Sequence, residues 1–405
     1  MRVTFSAMAF GGEAIARHEG KAIFVPLTMP GDEAEIEIVE DRGRFARGRL
    51  VELIRPAPER VIPRCKHFGV CGGCHWQHVD YAQQLAYKTR IVREQLQRIG
   101  GLRDPLVHPT IGPDEPWHYR NHTQFHLTRD GRLGYMALRS HDVIPIEECH
   151  ILEPPVEQLW RELDVELPDL DEVALRAGVH TGEQMVVFQL KSDEAPQAEI
   201  DLPVNAVAEL ADGSERVLAG DRHFHERLNG HVYQVSATSF FQVNTRMAER
   251  LVALVVERLH GNVSTRVLDA YCGVGTFALA LAPHVARVVG IEYAPDAVRD
   301  ARVNAQAFAN VEMLEGTVEA VLPGLREQFD VVVLDPPREG CAPAVSNAIV
   351  ARGIPRIVYV SCDPSTLARD VKRLSAAGYQ FVDAQPLDMF PQTFHIETVA
   401  TLVRQ

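Results

Sequence analysis

The chain has 405 residues, of which 46% are hydrophobic and 24% are charged, and its formal net charge is −14. This length allows two or three domains with sizeable cores. The negative total argues against a protein that coats nucleic acid indiscriminately, although a local basic face is still compatible with it. No apolar run approaches the ~20 residues of a membrane span, so we expect no membrane partner.

Seven cysteines are present, and three of them cluster within ten residues. Residues 1–10 lack the charged start and long apolar core of a signal peptide, so we expect a cytoplasmic protein. In that compartment a cysteine cluster indicates metal binding or catalysis and not disulfides.

Residues 1–56 are predicted to form a small β-barrel, because several short strands with turn signals follow one another. Glu35–Val39 alternates polar and apolar residues, as a half-buried strand does, and Arg47–Ile54 repeats the pattern. Four arginines lie along this stretch, either as a solvated strand edge or as a phosphate-binding face: Arg42, Arg44, Arg47 and Arg49.

A proline-rich linker leads into a second predicted domain, residues 57–235, which opens with a C-x5-C-x2-C pattern at Cys65, Cys71 and Cys74. Three thiolates need a fourth ligand for a tetrahedral zinc ion or for a cubane iron–sulfur cluster. Cys149 supplies the next cysteine in the chain. Four histidines are rival ligands, which zinc would also accept: His67, His75, His78 and His150.

The rest of this central domain is predicted to be mostly β. One helix, 80–100, carries an apolar face and is a candidate to pack on the domain that follows. Strands are predicted at Asn121–Leu127, Leu133–Leu138 and Gln184–Leu190, and the polar stretch 191–215 is predicted to be a surface loop.

Residues 236–405 alternate strand and helix, which predicts an α/β domain with a parallel sheet. Gly273 and Gly275 lie at a strand-to-helix turn, and Glu292 ends the next strand, where a carboxylate can hold ribose hydroxyls. Asp269 and the Asp335-Pro-Pro turn favour S-adenosylmethionine over a dinucleotide. We therefore predict a Rossmann-like methyltransferase domain.

Cys362 follows the predicted strand Ile357–Val360, and it is either a small buried side chain or a nucleophile. Arg338 stands after the two prolines, where enzymes that methylate planar nitrogen have an aromatic residue. C5 of uracil is a poor nucleophile unless a thiolate adds to C6, and its proton must later be removed by a base such as Glu397. Ser361 and the helix after Cys362 are expected to lower the thiol pKa.

The motifs together resemble the RNA uracil-5-methyltransferase family, which makes 5-methyluridine in 23S ribosomal RNA and in the T-loop of transfer RNA. Its matching segments are Ser239–Asn244, Asp269–Gly275, Asp335–Arg338, Val360–Pro364 and His395–Thr398. Residues 1–56 resemble the TRAM domain, an RNA-binding barrel. The cysteine pattern is similar to the family's [4Fe–4S] site.

This resemblance implies a role for each matching residue. Cys362 is expected to be the nucleophile and Glu397 the proton acceptor. The expected S-adenosylmethionine contacts are Gln242, Tyr271, Glu292 and Asp335. The expected cluster ligands are Cys65, Cys71, Cys74 and Cys149. The partner is expected to be a loop uridine in RNA, with ribosomal RNA preferred over transfer RNA, and the protein is expected to be a monomer.

Two other functions fit parts of the sequence. The first is an RNA-binding protein with a vestigial methyltransferase domain. The intact set of site residues speaks against it, since such a protein would not need them. A small-molecule methyltransferase would not need the N-terminal barrel. Phe240 and Phe241 are either a support for a flipped base or two core side chains.

Overall fold

The computed structural model describes residues 1–165, 167, 169–194, 196 and 200–405. The N-terminal strands form a closed barrel in the order β1-β2-β3-β5-β4. Alternate residues of these strands, such as Val3, Phe5 and Ile36, are buried in its interior. The barrel strands are β1 (Arg2–Met8), β2 (Ala14–His18), β3 (Lys21–Val25), β4 (Glu33–Asp41) and β5 (Phe45–Arg55).

A long irregular segment that contains the clustered cysteines joins the barrel to helix α1 (Tyr81–Arg98). The Asp80 side chain caps this helix by accepting a hydrogen bond from the Ala82 N–H. Ile91 and Val92 of α1 belong to the same buried cluster as apolar residues of the C-terminal sheet described below. Helix α1 also packs against the C-terminal helix Pro364–Ala376.

A second sheet has the order β12-β11-β10-β9-β6-β7-β8, and helix α2 (Pro154–Glu162) covers part of it. A hairpin of β13 and β14 follows. These strands are β6 (His122–Leu127), β7 (Leu133–Met136), β8 (Val143–Pro145), β9 (Leu170–Ala177), β10 (Gln184–Leu190), β11 (Asn205–Glu209), β12 (Glu215–Ala219), β13 (His223–Leu228) and β14 (His231–Ser236).

The predicted loop 191–215 is wrong in part, since Asn205–Glu209 forms strand β11. Its Ala206, Val207 and Ala208 are buried against β10, with which β11 pairs in parallel. A three-residue apolar run is too short to stand out in a polar stretch. Residues 195 and 197–199 of the predicted loop lie outside the described residues.

The C-terminal sheet has the order β17-β16-β15-β18-β19-β21-β20, and its first five strands are parallel. Its strands are β15 (Arg266–Ala270), β16 (Arg287–Glu292), β17 (Val311–Glu315), β18 (Val331–Leu334), β19 (Arg356–Ser361), β20 (Tyr379–Leu387) and β21 (Glu397–Arg404). The helices are α3 (Thr245–Leu259), α4 (Thr276–Leu281), α5 (Pro295–Asn304), α6 (Val318–Val321), α7 (Pro343–Arg352) and α8 (Pro364–Ala376).

This sheet reverses its strand order between β15 and β18, which is the point where doubly wound sheets bind ligands. Among the described helices, none is long and apolar enough to cross a membrane.

Candidate active site

The predicted cofactor residues meet at one edge of the C-terminal sheet. Tyr271 follows β15, Glu292 ends β16 and Asp335 follows β18. Because parallel strands end at the same edge, the three side chains border the crevice at the strand-order reversal.

Cys362 and Glu397 also lie next to each other at this edge. Cys362 follows β19, and Glu397 begins β21, which runs antiparallel beside β19. The register pairs Ser361, the last residue of β19, with Thr398, so Cys362 stands beside Glu397. Sequence alone could not establish this pairing, because the two residues are separated by a helix, a strand and a loop.

The turn after β15 has a backbone suited to a close-fitting ligand. Gly275 has a φ of 91°, a left-handed conformation that side chains rarely adopt, and Tyr271 adopts a φ of 68° despite its side chain. The Gly273 N–H donates to Glu292 Oε2 at 3.0 Å, which ties this turn to the end of β16. Strain of this kind is common at binding sites.

Three carboxyl groups make the crevice acidic. Asp269 is fully buried, and neither of its carboxylate oxygens has a hydrogen-bond partner in the described structure. Burial raises its pKa well above the usual range, and the charges of Asp335 and Glu292 add to the effect. Burial also raises the pKa of Asp335 to about 7. A ligand that carries positive charge would stabilise these carboxylates.

The Cys362 thiol has a raised pKa, so the expectation that its surroundings lower the pKa is wrong for the free protein. Burial raises the pKa to about 12, and the neighbouring charges of Glu397 and Asp335 act in the same direction. The N-terminus of α8 is not available to the thiol, because the Asp363 side chain caps it by accepting from the Ser365 and Thr366 N–H groups.

Glu397 is buried, and its Oε1 has no hydrogen-bond partner in the described part of the chain. Burial raises its pKa well above the usual range, and Asp335 raises it further, whereas Arg338 lowers it. Arg338 lowers the pKa of Cys362 as well. This exposed guanidinium therefore favours the ionised forms of both groups, a role that the sequence reasoning did not assign to it.

The aromatic pair of the Ser239–Asn244 segment has two different environments. Phe241 is buried and packs on Tyr233 with ring centroids 5.8 Å apart, so it is a core residue. Phe240 is 69% exposed and is free to contact a base. Gln242 is half-buried, and its carbonyl oxygen accepts from Asn121 Nδ2 at 3.0 Å.

The segment that leads into Glu397 is held by polar side chains of α1, the helix expected at 80–100 to pack on this domain, although the sequence did not indicate these particular contacts. Gln392 exchanges hydrogen bonds with the Gln84 side chain, and Lys88 Nζ lies 2.6 Å from Asp388 Oδ1 in a fully buried ion pair. Gln84 and Lys88 are four residues apart, so they share one face of α1. Two polar residues on an otherwise apolar helix face were the only sequence pattern that could have indicated these buried polar contacts.

Four cysteines line a single cavity of about 570 Å³ between the barrel, the irregular segment and the central sheet: Cys65, Cys71, Cys74 and Cys149. Burial raises the pKa of all four thiols. In the described residues, however, no three His, Cys, Asp or Glu side chains converge closely enough to hold one metal ion.

The expected iron–sulfur cluster is therefore not shown by the described residues. Zinc needs four ligands at about 2.0–2.3 Å from one atom, whereas a four-iron cluster takes one thiolate on each iron and occupies a larger space. Three of the rival histidines have other partners. His67 Nε2 accepts from the Glu147 N–H, His78 Nε2 faces the Thr28 carbonyl, and His150 lies 3.4 Å from Glu148.

The barrel arginines are largely neutralised by neighbouring carboxylates. Arg47 pairs with Glu13 at 2.8 Å, and Arg49 pairs with Glu37, its cross-strand neighbour between β4 and β5. Arg42 likewise pairs with Glu40. The run is therefore less suited to phosphate binding than its sequence indicates.

The fold and the site together define an S-adenosylmethionine-dependent methyltransferase with a small barrel ahead of it. A family model described as tRNA (Uracil-5-)-methyltransferase matches residues 215–405, and a TRAM domain model matches residues 1–51. An RNA methyltransferase of Halalkalibacterium halodurans is 36% identical over 99% of this chain and 96% of its own length. One of Gloeobacter violaceus is 38% identical, with the same coverage.

The chain belongs to the RNA uracil-5-methyltransferase family. A similar solved structure is that of Pyrococcus abyssi tRNA (uracil-54, C5)-methyltransferase in complex with S-adenosyl-L-homocysteine. It aligns over 100% of both chains with a TM-score of 0.77 and 29% identity. The predicted methyltransferase fold, the N-terminal barrel, S-adenosylmethionine as cofactor and RNA as substrate are thereby confirmed.

Proposed function

We propose that this enzyme methylates C5 of a loop uridine through a covalent bond between Cys362 Sγ and C6 of the base. The observation that carries the proposal is the position of a half-buried thiol beside a buried carboxyl group, whose Oε1 has no hydrogen-bond partner among the described residues, at the edge of the sheet. Tyr271, Glu292 and Asp335 border the neighbouring crevice and, with Gln242, are proposed to hold the cofactor.

S-adenosylmethionine supplies an electrophilic methyl group and a positively charged sulfonium. Burial raises the pKa of Asp269 and Asp335, and a sulfonium beside them would favour their ionised forms. Positive charge beside these carboxylates lowers the raised pKa values of Asp335 and Glu397, and less negative surroundings favour the Cys362 thiolate. Arg338 acts in the same direction on Cys362 and Glu397.

The proposed reaction proceeds through a covalent adduct between Cys362 and the base. The Cys362 thiolate adds to C6, which makes C5 nucleophilic. C5 then takes the methyl group of S-adenosylmethionine, whose S–CH3 bond would break to leave the neutral thioether. The Glu397 carboxylate then accepts the C5 proton, and the bond between Cys362 and C6 breaks to restore the aromatic base and the thiolate. Glu397 is buried, which limits the access of water to the proton acceptor, and the exposed Phe240 is proposed to support the extruded base.

The test uses labelled cofactor with unmodified RNA and compares three variants. Cys362→Ala should lose methyl transfer and adduct formation, whereas Glu397→Gln should form the adduct but release it slowly, because the C5 proton has no acceptor. Cys341→Ala removes a different, buried thiol and serves as the control. Full turnover by Cys362→Ala would contradict the proposal.

The choice of RNA rests on different support. The sequence-based preference for ribosomal RNA has no counterpart in the geometry, while the similar Pyrococcus abyssi enzyme is named for uracil-54 of tRNA. Both RNAs offer unpaired loop uridines, which a half-buried thiol requires. Mapping 5-methyluridine in both RNAs from cells without this gene distinguishes them, and free uridine as competitor tests a small-molecule substrate.

The four-cysteine cavity is proposed to hold a [4Fe–4S] cluster, with one thiolate from each of Cys65, Cys71, Cys74 and Cys149. The cluster would join the irregular segment to the central sheet. Direct backbone bonds extend this link to the active site, since the His75 and Trp76 N–H groups both donate to the Gln392 carbonyl at 2.9 Å. We propose a structural role for it.

A further inference from the structure

A cation–aromatic pair lies beside His150, one of the residues that line the four-cysteine cavity. The Arg64 guanidinium stacks over the Trp117 ring, with its central carbon 5.4 Å from the ring centroid. The His150 ring meets the same indole edge-on at a centroid distance of 6.5 Å. Arg64 is exposed and Trp117 is half-buried, so this aromatic stack reaches solvent.

The stack is fixed at both ends by the cysteine framework. Arg64 immediately precedes Cys65, and His150 immediately follows Cys149. The His118 N–H donates to the His150 carbonyl at 3.0 Å, which holds the segment after Trp117 against the segment that contains Cys149 and His150. Whatever orders the four thiols therefore also orders the stack.

The same segment is attached directly to the catalytic domain. The Tyr119 hydroxyl donates to the Pro391 carbonyl at 3.0 Å, within the segment that leads to Glu397. The Asn121 N–H donates to the Val243 carbonyl at 2.9 Å, next to Gln242. Trp117 is two residues from the first of these contacts, so the stack occupies a fixed position relative to the active site.

The charges around the stack indicate what it binds. Arg64 forms no ion pair with a carboxylate of the described chain, unlike most of the barrel arginines. Yet Asp114 and Glu115 precede Trp117, and Glu148 accepts from the Lys66 N–H beside Arg64. These carboxylates repel phosphate, whereas a neutral base can stack on a guanidinium plane or an indole.

We propose that Arg64 and Trp117 form a stacking subsite for an unpaired base of the RNA, separate from the uridine that reacts. The inference rests on the proposed function, since it assumes an RNA loop opened by extrusion of the target base. The segments that carry the four cysteines would then position a part of the RNA-binding surface, and this role requires no electron transfer.

Binding of an unmodified tRNA transcript tests this subsite. Trp117→Ala should weaken binding by on the order of tenfold to a hundredfold, the range of one base–aromatic stack, and Trp117→Phe should recover most of it. Trp76 and Trp160 are buried, so RNA should quench the emission of Trp117, and the Phe variant should lose that quenching.

The matched control is Arg161→Ala. Arg161 lies 4.4 Å over Trp160, whose ring is only 7% exposed and closed to a base, so this variant should bind RNA normally. Arg64→Ala should weaken binding without changing its salt dependence. A salt slope reduced by about one would mean a phosphate contact and would overturn the stacking proposal, as would equal affinities of wild type and Trp117→Ala.

The outcome is separable from that of the proposed function. If wild type yields no 5-methyluridine in either RNA, the proposed function fails, whatever the binding variants do. If wild type methylates RNA and the Trp117 variants match it in affinity and quenching, only the stacking subsite fails. Cofactor binding and thermal melting of each variant establish that the fold is intact.

Discussion

Lys88→Met tests the buried link between α1 and the segment that precedes Glu397. Lys88 and Asp388 are both fully buried, with Nζ and Oδ1 2.6 Å apart, and Lys88 also donates to the Phe390 carbonyl at 3.2 Å. Methionine keeps the length of the side chain but removes its charge. Asp388 would then be a buried carboxylate with only the Tyr81 hydroxyl and the Phe390 N–H as donors.

The expected loss of stability is large because the remaining charge stays buried. Removing one partner of a buried ion pair costs about 3–5 kcal/mol. Lys21 and Asp41 form a pair of similar length, 2.8 Å, but their side chains are 34% and 56% exposed. Lys21→Met should therefore cost less than about 1 kcal/mol, which makes it the matched control.

The measurement is urea unfolding of the full-length protein, followed by fluorescence and by methyl transfer at each urea concentration. We expect Lys88→Met to lose activity at a lower urea concentration than the control, because the segment before Glu397 loosens. Lys88→Met combined with Asp388→Leu should recover part of the loss, since it leaves no unpaired charge. Equal unfolding midpoints for Lys88→Met and Lys21→Met would refute the reasoning.

Three further predictions concern other parts of the molecule. Burial raises the pKa of Asp335 from 3.8 to about 7 in the folded protein, so the folded state holds this proton more tightly than the unfolded state. The free energy of unfolding therefore falls as the pH rises from about 4 to about 7. Asp335→Asn without cofactor should match wild type in free energy of unfolding near pH 4 and exceed it at pH 8, by roughly 2–4 kcal/mol for this half-buried residue; an advantage that does not grow with pH would contradict the assignment. Anaerobically purified protein should be brown, and Cys71→Ala should lose the visible absorbance while Cys272→Ala keeps it; a colourless wild type with one zinc would overturn the cluster. Arg49→Ala should change RNA affinity less than twofold because Glu37 already neutralises Arg49, and a tenfold loss would restore the barrel arginines as a phosphate-binding face.

Much of the catalytic edge could be predicted from local patterns. Glu292, Asp335 and Cys362 each follow or end a short apolar strand, and such strands in a parallel sheet end at one edge. Their convergence therefore needs only the strand pattern and the topology. The cysteine spacing is local in the same sense, since Cys65, Cys71 and Cys74 lie within ten residues.

The electrostatic state of the site could not be predicted in the same way. The helix that follows Cys362 was expected to lower its pKa, but Asp363 occupies the helix N-terminus and burial raises the pKa to about 12. The barrel arginines present a basic run in sequence, yet Glu37 approaches Arg49 from β4 and Glu13 approaches Arg47 from the turn before β2. Burial and cross-strand charge depend on residues that are distant in the chain.

The sequence by itself determined the family, the barrel and the parallel sheet, and it supplied the candidates for the reacting groups, because each is encoded in short local motifs. Only the tertiary structure decided how the parts support one another. Lys88 meets Asp388 across 300 positions, and Arg64 stacks on Trp117 near a cavity built from four regions of the chain. Such contacts depend on how whole elements pack, which no local pattern of side chains specifies.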